Sequence, residues 1–100
     1  MKHTSASIAI AECENPLFPN YMESTINKIV PEGHGLYKHS LEGEDDMPAH
    51  AKSVFLGETH DIPITDGKLN LGKMQGVYLC EHRTYSSART LIITLNGLAK

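Results

Sequence analysis

The stretch with the most reactive side chains is residues 41–53, Leu-Glu-Gly-Glu-Asp-Asp-Met-Pro-Ala-His-Ala-Lys-Ser. It places four carboxylates, a histidine, a lysine and a hydroxyl within thirteen residues. Carboxylates can ligate a hard cation, and histidine can exchange protons near neutral pH. No His-Glu-x-x-His or Cys-rich spacing accompanies them. The residue types therefore indicate metal or acid–base chemistry, but the spacing specifies no ligand set.

The same stretch predicts a short helix that positions these groups. Asp45 or Asp46 can cap its first turn, because a side-chain oxygen there accepts a backbone N–H that the helix leaves unpaired. Pro48 fits the first turn, where its missing N–H costs nothing. Gly57 predicts the end of the helix.

Helical periodicity indicates which residues share a face of this helix. His50 and Ser53, three residues apart, are expected on one flank, facing a cleft beside the core. We expect the apolar stripe to pack inward. It consists of Met47, Ala51, Val54 and Phe55.

A purely structural role for the acidic run remains open at this stage. Acidic residues before a helix stabilise its dipole by about 0.3–1 kcal/mol each. A histidine beside an apolar face is commonly a hydrogen-bonded boundary residue, and charge runs are commonly solvated.

The rest of the chain predicts an α+β domain. Alternation over residues 3–11 predicts a strand, and apolar spacing between Pro19 and Pro31 predicts a first helix that packs on the core. Residues 59–65 and 68–71 are expected to form a hairpin around the turn signal Asp66-Gly67, and residues 77–81 a further strand.

Composition limits the classes of function. One hundred residues make one domain, and the net charge of −3 provides no basic surface for nucleic acid. No apolar run is long enough for a membrane span or a signal peptide. Cys13 and Cys80 form no Cys-x-x-Cys pair and are interpreted as reduced thiols, so we expect a cytoplasmic protein.

Four ordered motifs resemble the YjbQ-like family, whose members are described as secondary thiamine-phosphate synthases. The first is His-Thr-Ser-Ala-Ser at 3–7, and the second is Glu-Gly-Glu-Asp-Asp through Lys-Ser at 42–53. The third runs from Ile62-Pro63 to Asp66-Gly67, and the fourth from Gln75-Gly76 to Glu81-His82-Arg83. Their order along the chain makes the resemblance specific.

The resemblance implies a two-sheet, β-sandwich-like α+β fold with two short helices, assembled as a homotrimer with clefts near the subunit boundaries. It also implies an activity that joins a hydroxymethylpyrimidine pyrophosphate to a thiazole phosphate with release of pyrophosphate. Two alternatives stay open, namely a non-catalytic oligomeric relative with a binding or structural role, and a metal-dependent phosphohydrolase.

Loss of pyrophosphate requires neutralised phosphate charge and proton transfer. The resemblance and the residue types together imply three groups of site residues. The catalytic group is His3, His50 and Glu81, with His82 as a further candidate; the same side chains could instead ligate zinc. The group that binds the phosphorylated small ligand is Ser5, Ser7, Lys52, Ser53, Gln75 and Arg83, with Gln75 placed to read a pyrimidine edge. The group that would hold a divalent metal, Mg²⁺ or Zn²⁺, is Glu44, Asp45, Asp46 and His50.

The sequence departs from the family pattern at two places. The family usually has a threonine and a tryptophan before Gln75-Gly76, and this chain has Lys73 and Met74. Methionine offers neither the flat wall nor the N–H donor of tryptophan. The family also has further strands before the His-Thr-Ser-Ala-Ser motif, so we expect the chain to be amino-terminally short relative to the family.

Overall fold

A computed structural model describes residues 1–32 and 45–98. In chain order they form β1 (Ala6–Glu12), α1 (Phe18–Ile29), α2 (Asp46–Leu56), β2 (Ile64–Thr65), β3 (Lys68–Leu69) and β4 (Gln75–Glu81). β1 pairs with β4 and β2 pairs with β3, both antiparallel. Two helices and two antiparallel sheets confirm the α+β prediction.

The pairing of β1 with β4 brings together two motifs that lie far apart in the chain. Ala6 lies opposite Glu81, and Glu12 lies opposite Gln75. One further bond, from the backbone N–H of His82 to the carbonyl of Ser5 at 3.2 Å, continues the pairing beyond the strand ends. The start of β1 and the end of β4 therefore share one edge of the molecule.

The segment after α2 lies along the other edge of β1. The backbone N–H of Ile8 donates to the carbonyl of Gly57 at 3.2 Å, and the Nε2 atom of His60 lies 2.9 Å from the carbonyl of Ile8. Gly57 has φ of +93°, a conformation that L side chains rarely adopt. It ends α2, as predicted, and turns the chain toward β1.

The buried face of α2 differs from the predicted apolar stripe. Val54 and Phe55 are 82% and 71% exposed, so the expectation that this stripe packs inward is wrong. The buried face instead carries Asp46, Ala49 and Ser53, at i, i+3 and i+7. Small side chains on this face let α2 lie close to β1, which the hydroxyl of Ser53 contacts by a bond to the carbonyl of Ala6 at 3.0 Å.

The predicted side-chain cap of α2 is also absent. Asp45 occupies the N-cap position, but its carboxylate makes no capping hydrogen bond. That carboxylate accepts hydrogen bonds from Arg83 and Thr84 instead. A charged donor offers a stronger hydrogen bond than the helix N–H groups do.

α1 begins and ends within two residues of its predicted limits but does not pack as a core helix. It has no buried residue, and Tyr21 and Ile29 are 58% and 61% exposed. Met22 and Ile26 are half-buried along a cavity. Among the described residues, no helix is long and apolar enough to cross a membrane.

The hairpin prediction is confirmed at its turn. Asp66 and Gly67 both have positive φ, +53° and +75°, as a two-residue turn between antiparallel strands requires. The paired strands are shorter than expected, because only Ile64–Thr65 and Lys68–Leu69 form the ladder.

Within residues 1–32 and 45–98, the buried core is small and mostly polar. Its apolar members are Ala6, Val30 and Ala49. Its polar members are Ser5, Ser7, Asp46, Lys52, Ser53 and His82. Buried polar groups require hydrogen-bond partners, so the junction of β1, α2 and the end of β4 depends on side-chain bonds.

We expect Gly57→Ala to lower the free energy of unfolding by about 1–3 kcal/mol, because alanine is strained at this φ. A Cβ atom at Gly57 would meet no atom within 4 Å, so the cost comes from the backbone alone. Urea unfolding measures it. Gly97→Ala, also in open space, is the control and should change stability by less than about 0.5 kcal/mol. Equal stability of the two variants would contradict the prediction.

Candidate functional site

His50 lies where α2 meets the start of β1. Its Nδ1 atom is 3.0 Å from the hydroxyl of Ser5 and 2.9 Å from the carbonyl of Thr4. A carbonyl can only accept, so Nδ1 carries a proton and donates to Thr4. The Nε2 atom lies 3.3 Å from an oxygen of Asp46, one turn earlier in α2. These contacts hold the imidazole ring in one orientation.

Arg83 joins the end of β4 to the start of α2. Its Nη1 atom donates to Asp46 at 2.8 Å, and its Nε atom donates to Asp45 at 3.0 Å. The backbone N–H of Thr84 donates to the same oxygen of Asp45 at 2.8 Å. This N–H, together with the guanidinium, holds the pKa of Asp45 below its usual value. The two adjacent carboxylates therefore share one cation.

A second ion pair lies beside the first motif. Arg89 donates to both oxygens of Glu81, at 2.6 and 2.7 Å, and its Nη1 atom lies 2.7 Å from Nε2 of His3. The bonds from Arg89 hold the pKa of Glu81 at about 2. Nδ1 of His3 accepts from the backbone N–H of Ser5 at 3.0 Å. Arg89 therefore binds Glu81 and lies beside His3, whose Nε2 atom carries the ring proton because Nδ1 accepts from Ser5.

His82 is the buried histidine of the site. Its Nε2 atom lies 2.7 Å from the hydroxyl of Ser7, which is fully buried. Burial lowers the pKa of His82 to about 4, and the nearby charge of Lys52 contributes in the same direction. Near neutral pH the ring is therefore uncharged.

A cavity of about 610 Å³ lies on the side of α2 that carries Lys52. Its polar lining comprises Lys52, His82, Arg83 and Thr84, together with Asn27 and the carboxylates Glu23, Glu32 and Glu81. Its apolar wall comes from α1 and β4, and includes Phe18, Met22, Ile26 and Tyr78. The rings of Phe18 and Tyr78 are 6.4 Å apart, so this wall contains an aromatic pair.

His50 does not line this cavity. It borders a smaller hollow of about 290 Å³ with Thr4, Ser53, Val54 and Glu58. Residues 50 and 52 differ by about 200° around a helix, so their side chains leave α2 on opposite sides. The chain Arg83–Asp46–His50 connects the two recesses. The predicted single site is therefore two recesses joined by one ion-paired network.

The three predicted serines have partners within the protein. Ser5 contacts His50, Ser7 contacts His82, and Ser53 donates to the carbonyl of Ala6. All three are buried. These bonds orient the two histidines and α2, and phosphate binding by the serines stays a prediction.

Gln75 is not brought to either recess. It begins β4, whereas Glu81 ends the strand about 20 Å away. Its side-chain oxygen accepts from the backbone N–H of Gly72 at 2.7 Å. Met74 beside it is 54% exposed, so the unusual methionine lies at the same distant end.

The predicted metal ligands fit a cation poorly. Glu44 lies outside the described residues. Asp45 and Asp46 accept hydrogen bonds from Arg83, which already supplies positive charge there. Across the described part of the chain, no three His, Cys, Asp or Glu side chains are grouped as metal ligands. The divalent cation stays a prediction, and no chemical step below depends on it.

One residue of the network, Arg89, lay outside the predicted site. His82, a further candidate in the sequence for acid–base chemistry or zinc ligation, continues the strand face of Tyr78 and Cys80 at a spacing of two. Arg89 carries no comparable signal. It comes from an extended segment, and only the folded chain places it against Glu81.

We expect His82→Gln to flatten the pH dependence of stability. Because the pKa of His82 is lower in the folded chain than in the unfolded one, its contribution is complete above pH 6.5 and is lost as pH falls toward about 4. Between pH 7 and pH 5 the wild type should lose about 2 kcal/mol more than the variant. Urea unfolding at both pH values measures the difference, and equal losses would contradict it.

The chain is similar to proteins of one known family. The family model described as "UPF0047 protein YjbQ-like" matches residues 1–98. UPF0047 protein YjbQ of Escherichia coli O157:H7 is 40% identical over 97 residues, which are 97% of this chain and 70% of that protein. UPF0047 protein sll1880 of Synechocystis is 41% identical over 97 residues, 97% of this chain and 66% of the relative.

Solved structures agree with the fold. An uncharacterised YjbQ/UPF0047 family protein from Clostridium acetobutylicum has a TM-score of 0.72 at 37% identity. The match covers 81% of this chain and 60% of that protein's chain. The conserved hypothetical protein TT1486 from Thermus thermophilus has a TM-score of 0.73 at 27% identity. The match covers 81% of this chain and 62% of that protein's chain. The chain thus spans about 60% of the length of these structures. Its sequence and its fold both place it in the YjbQ-like UPF0047 family.

Proposed function

We propose that the 610 Å³ cavity binds a phosphorylated small molecule, with the phosphate at Lys52 and Arg83 and the ring of the ligand against Phe18 and Tyr78. In the reaction proposed, a hydroxymethylpyrimidine pyrophosphate is joined to a thiazole phosphate and pyrophosphate leaves. The resemblance to secondary thiamine-phosphate synthases suggests this activity, and the shape and polarity of the cavity are compatible with such ligands.

The environment of Lys52 is the observation that carries the proposal. This lysine is only 4% exposed, and its ammonium donates to the neutral side chain of Asn27 at 2.7 Å. Among the described residues, its nearest carboxylate is that of Glu32, at 3.9 Å. Glu32 is 43% exposed and pairs with Lys52 only at this long distance, so an anion inside the cavity would further stabilise the buried ammonium. Phosphate supplies that anion, with oxygens for both Lys52 and Arg83.

The apolar wall of the cavity suits the rest of such a ligand. Met22 and Ile26 on α1 provide apolar surface, and the tilted pair Phe18 and Tyr78 provides ring faces. An aromatic heterocycle can stack there while its phosphate lies at Lys52. The cavity therefore combines the two features that a pyrimidine or thiazole phosphate requires.

We expect Lys52→Met to weaken the binding of pyrophosphate and of thiamine phosphate at least tenfold, because the variant removes the buried cation. Isothermal titration calorimetry of the full chain measures this. Lys28→Met, in the exposed last turn of α1, removes the same charge outside the cavity and should leave affinity unchanged. Equal weakening by both variants would point to general electrostatic attraction and contradict the proposal. The non-catalytic alternative predicts no binding by the wild type.

Acid–base roles of His3 and His50 remain part of the proposal. His50 borders the smaller recess and both of its ring nitrogens contact protein groups, so in this proposal it acts on the ligand through the ion pair of Asp46 with Arg83. We expect His50→Ala to lower the rate of condensation by about 100-fold or more. His60→Ala, at an exposed histidine outside both recesses, is the control. Phosphate release without a thiazole phosphate acceptor would favour the phosphohydrolase alternative.

We also propose that copies of the chain assemble as a homotrimer in the cytoplasm. Exposed apolar residues on β4, Val77 and Leu79 at 43% and 56%, support association, because such side chains favour burial. Cys13 and Cys80 are free thiols, which supports a reducing compartment. Light scattering should give three times the chain mass, and a monomer at the same concentration would contradict the trimer.

A further inference from the structure

His82 is near the proposed phosphate position, because the charge of Lys52 acts on its ring. It lines the cavity together with Lys52 and Arg83, yet is only 9% exposed. Its Nε2 atom is hydrogen-bonded to the hydroxyl of Ser7, at 2.7 Å. Among the described residues, Nδ1 has no hydrogen-bond partner. Nδ1 is therefore the ring nitrogen available to a ligand.

We infer that His82 is a third phosphate-binding residue, which takes up a proton at Nδ1 when a phosphate group binds beside Lys52. This inference rests on the proposed function, because it requires an anion in the cavity. It adds a residue outside the predicted binding set, and it makes binding of the ligand proton-coupled.

The bond to Ser7 permits this change of charge. A hydroxyl oxygen can accept from Nε2–H whether the ring is neutral or charged. The added proton therefore enters at Nδ1 while the bond to Ser7 persists. Ser7 is fully buried on β1, so the ring keeps its position in both states.

The surroundings of His82 explain why the proton is absent without an anion. Burial disfavours the charged ring, and the cations Lys52 on α2 and Arg89 on the extended segment add to this effect. The negative charge of Glu81 favours the charged ring, but the Glu81 carboxylate is paired with Arg89. Arg83 follows in the chain and is paired with Asp45 and Asp46. Ser7 and Cys80 on the paired strands are neutral.

An anion beside Lys52 would cancel the nearest of these repulsions. A single opposite charge within hydrogen-bonding range commonly raises the pKa of a histidine by about 1–3. By linkage, protonation of His82 must then strengthen binding of the anion by the same factor. For a rise of about two, affinity should increase about tenfold between pH 8 and pH 5.

Histidine-ring NMR of the full chain tests the inference, with sulfate as the probe because it stays a dianion throughout this pH range. Spectra are recorded in sodium sulfate and in sodium chloride of equal ionic strength, and His82→Gln identifies the signal. In chloride the signal of His82 should titrate near pH 4, and in sulfate its midpoint should rise by about one pH unit or more. The exposed ring of His60 lies outside the cavity and is the internal control, so its signals should be the same in both salts.

Calorimetry with sulfate separates the two ways of failing. No sulfate binding by the wild type would overturn the proposed anion site, and the inference with it. Sulfate binding to the wild type and not to Lys52→Met, together with a midpoint of the His82 titration that is the same in both salts, would overturn the inference alone. Binding that tightens about tenfold toward pH 5 in the wild type and stays constant in His82→Gln would establish it.

Discussion

The need to satisfy buried polar groups governs how this chain folds around its site. Ser5, Ser7, Ser53 and His82 are buried where β1, α2 and the end of β4 meet. Each makes a hydrogen bond to a residue far away in the sequence. A buried polar group without a partner costs about 1–3 kcal/mol, so these bonds are required wherever the elements pack together. The same bonds orient the histidines of the two recesses.

Ion pairs complete this junction and link its two recesses. Arg83 binds two successive carboxylates at the start of α2, and Arg89 binds Glu81 at the end of β4. The first pair leads through Asp46 to His50, while Arg83 itself also borders the larger cavity. The two recesses therefore share charged residues. Lys52 differs from both arginines because its closest partner is the neutral side chain of Asn27.

α2 separates His50 from the proposed anion site. His50 points to one side and Lys52 to the other, although only one residue lies between them in the chain. A ligand held at Lys52 consequently has His82, rather than His50, as its nearest imidazole. In the proposed reaction, the anchored ring of His82 and the buried ammonium of Lys52 would act on the same phosphate.

Local chemistry in the sequence determined the limits of the helices and the turns. Pro19 lies in the first turn of α1, Pro31 follows its end, Gly57 ends α2, and Asp66-Gly67 forms the hairpin turn. Each feature depends on the backbone conformations open to the residue itself. The ordered motifs likewise identified the family from residue order alone.

Only the tertiary structure decided which face of α2 is buried and which residues share a recess. Periodicity favoured Val54 and Phe55 as the inward stripe, but the small residues Ala49 and Ser53 allow closer contact with β1. The partnership of Ser7 with His82 depends on the register of β1 against β4, and that of Glu81 with Arg89 on the path of an extended segment. Such contacts join residues far apart in the chain, and no local pattern encodes them.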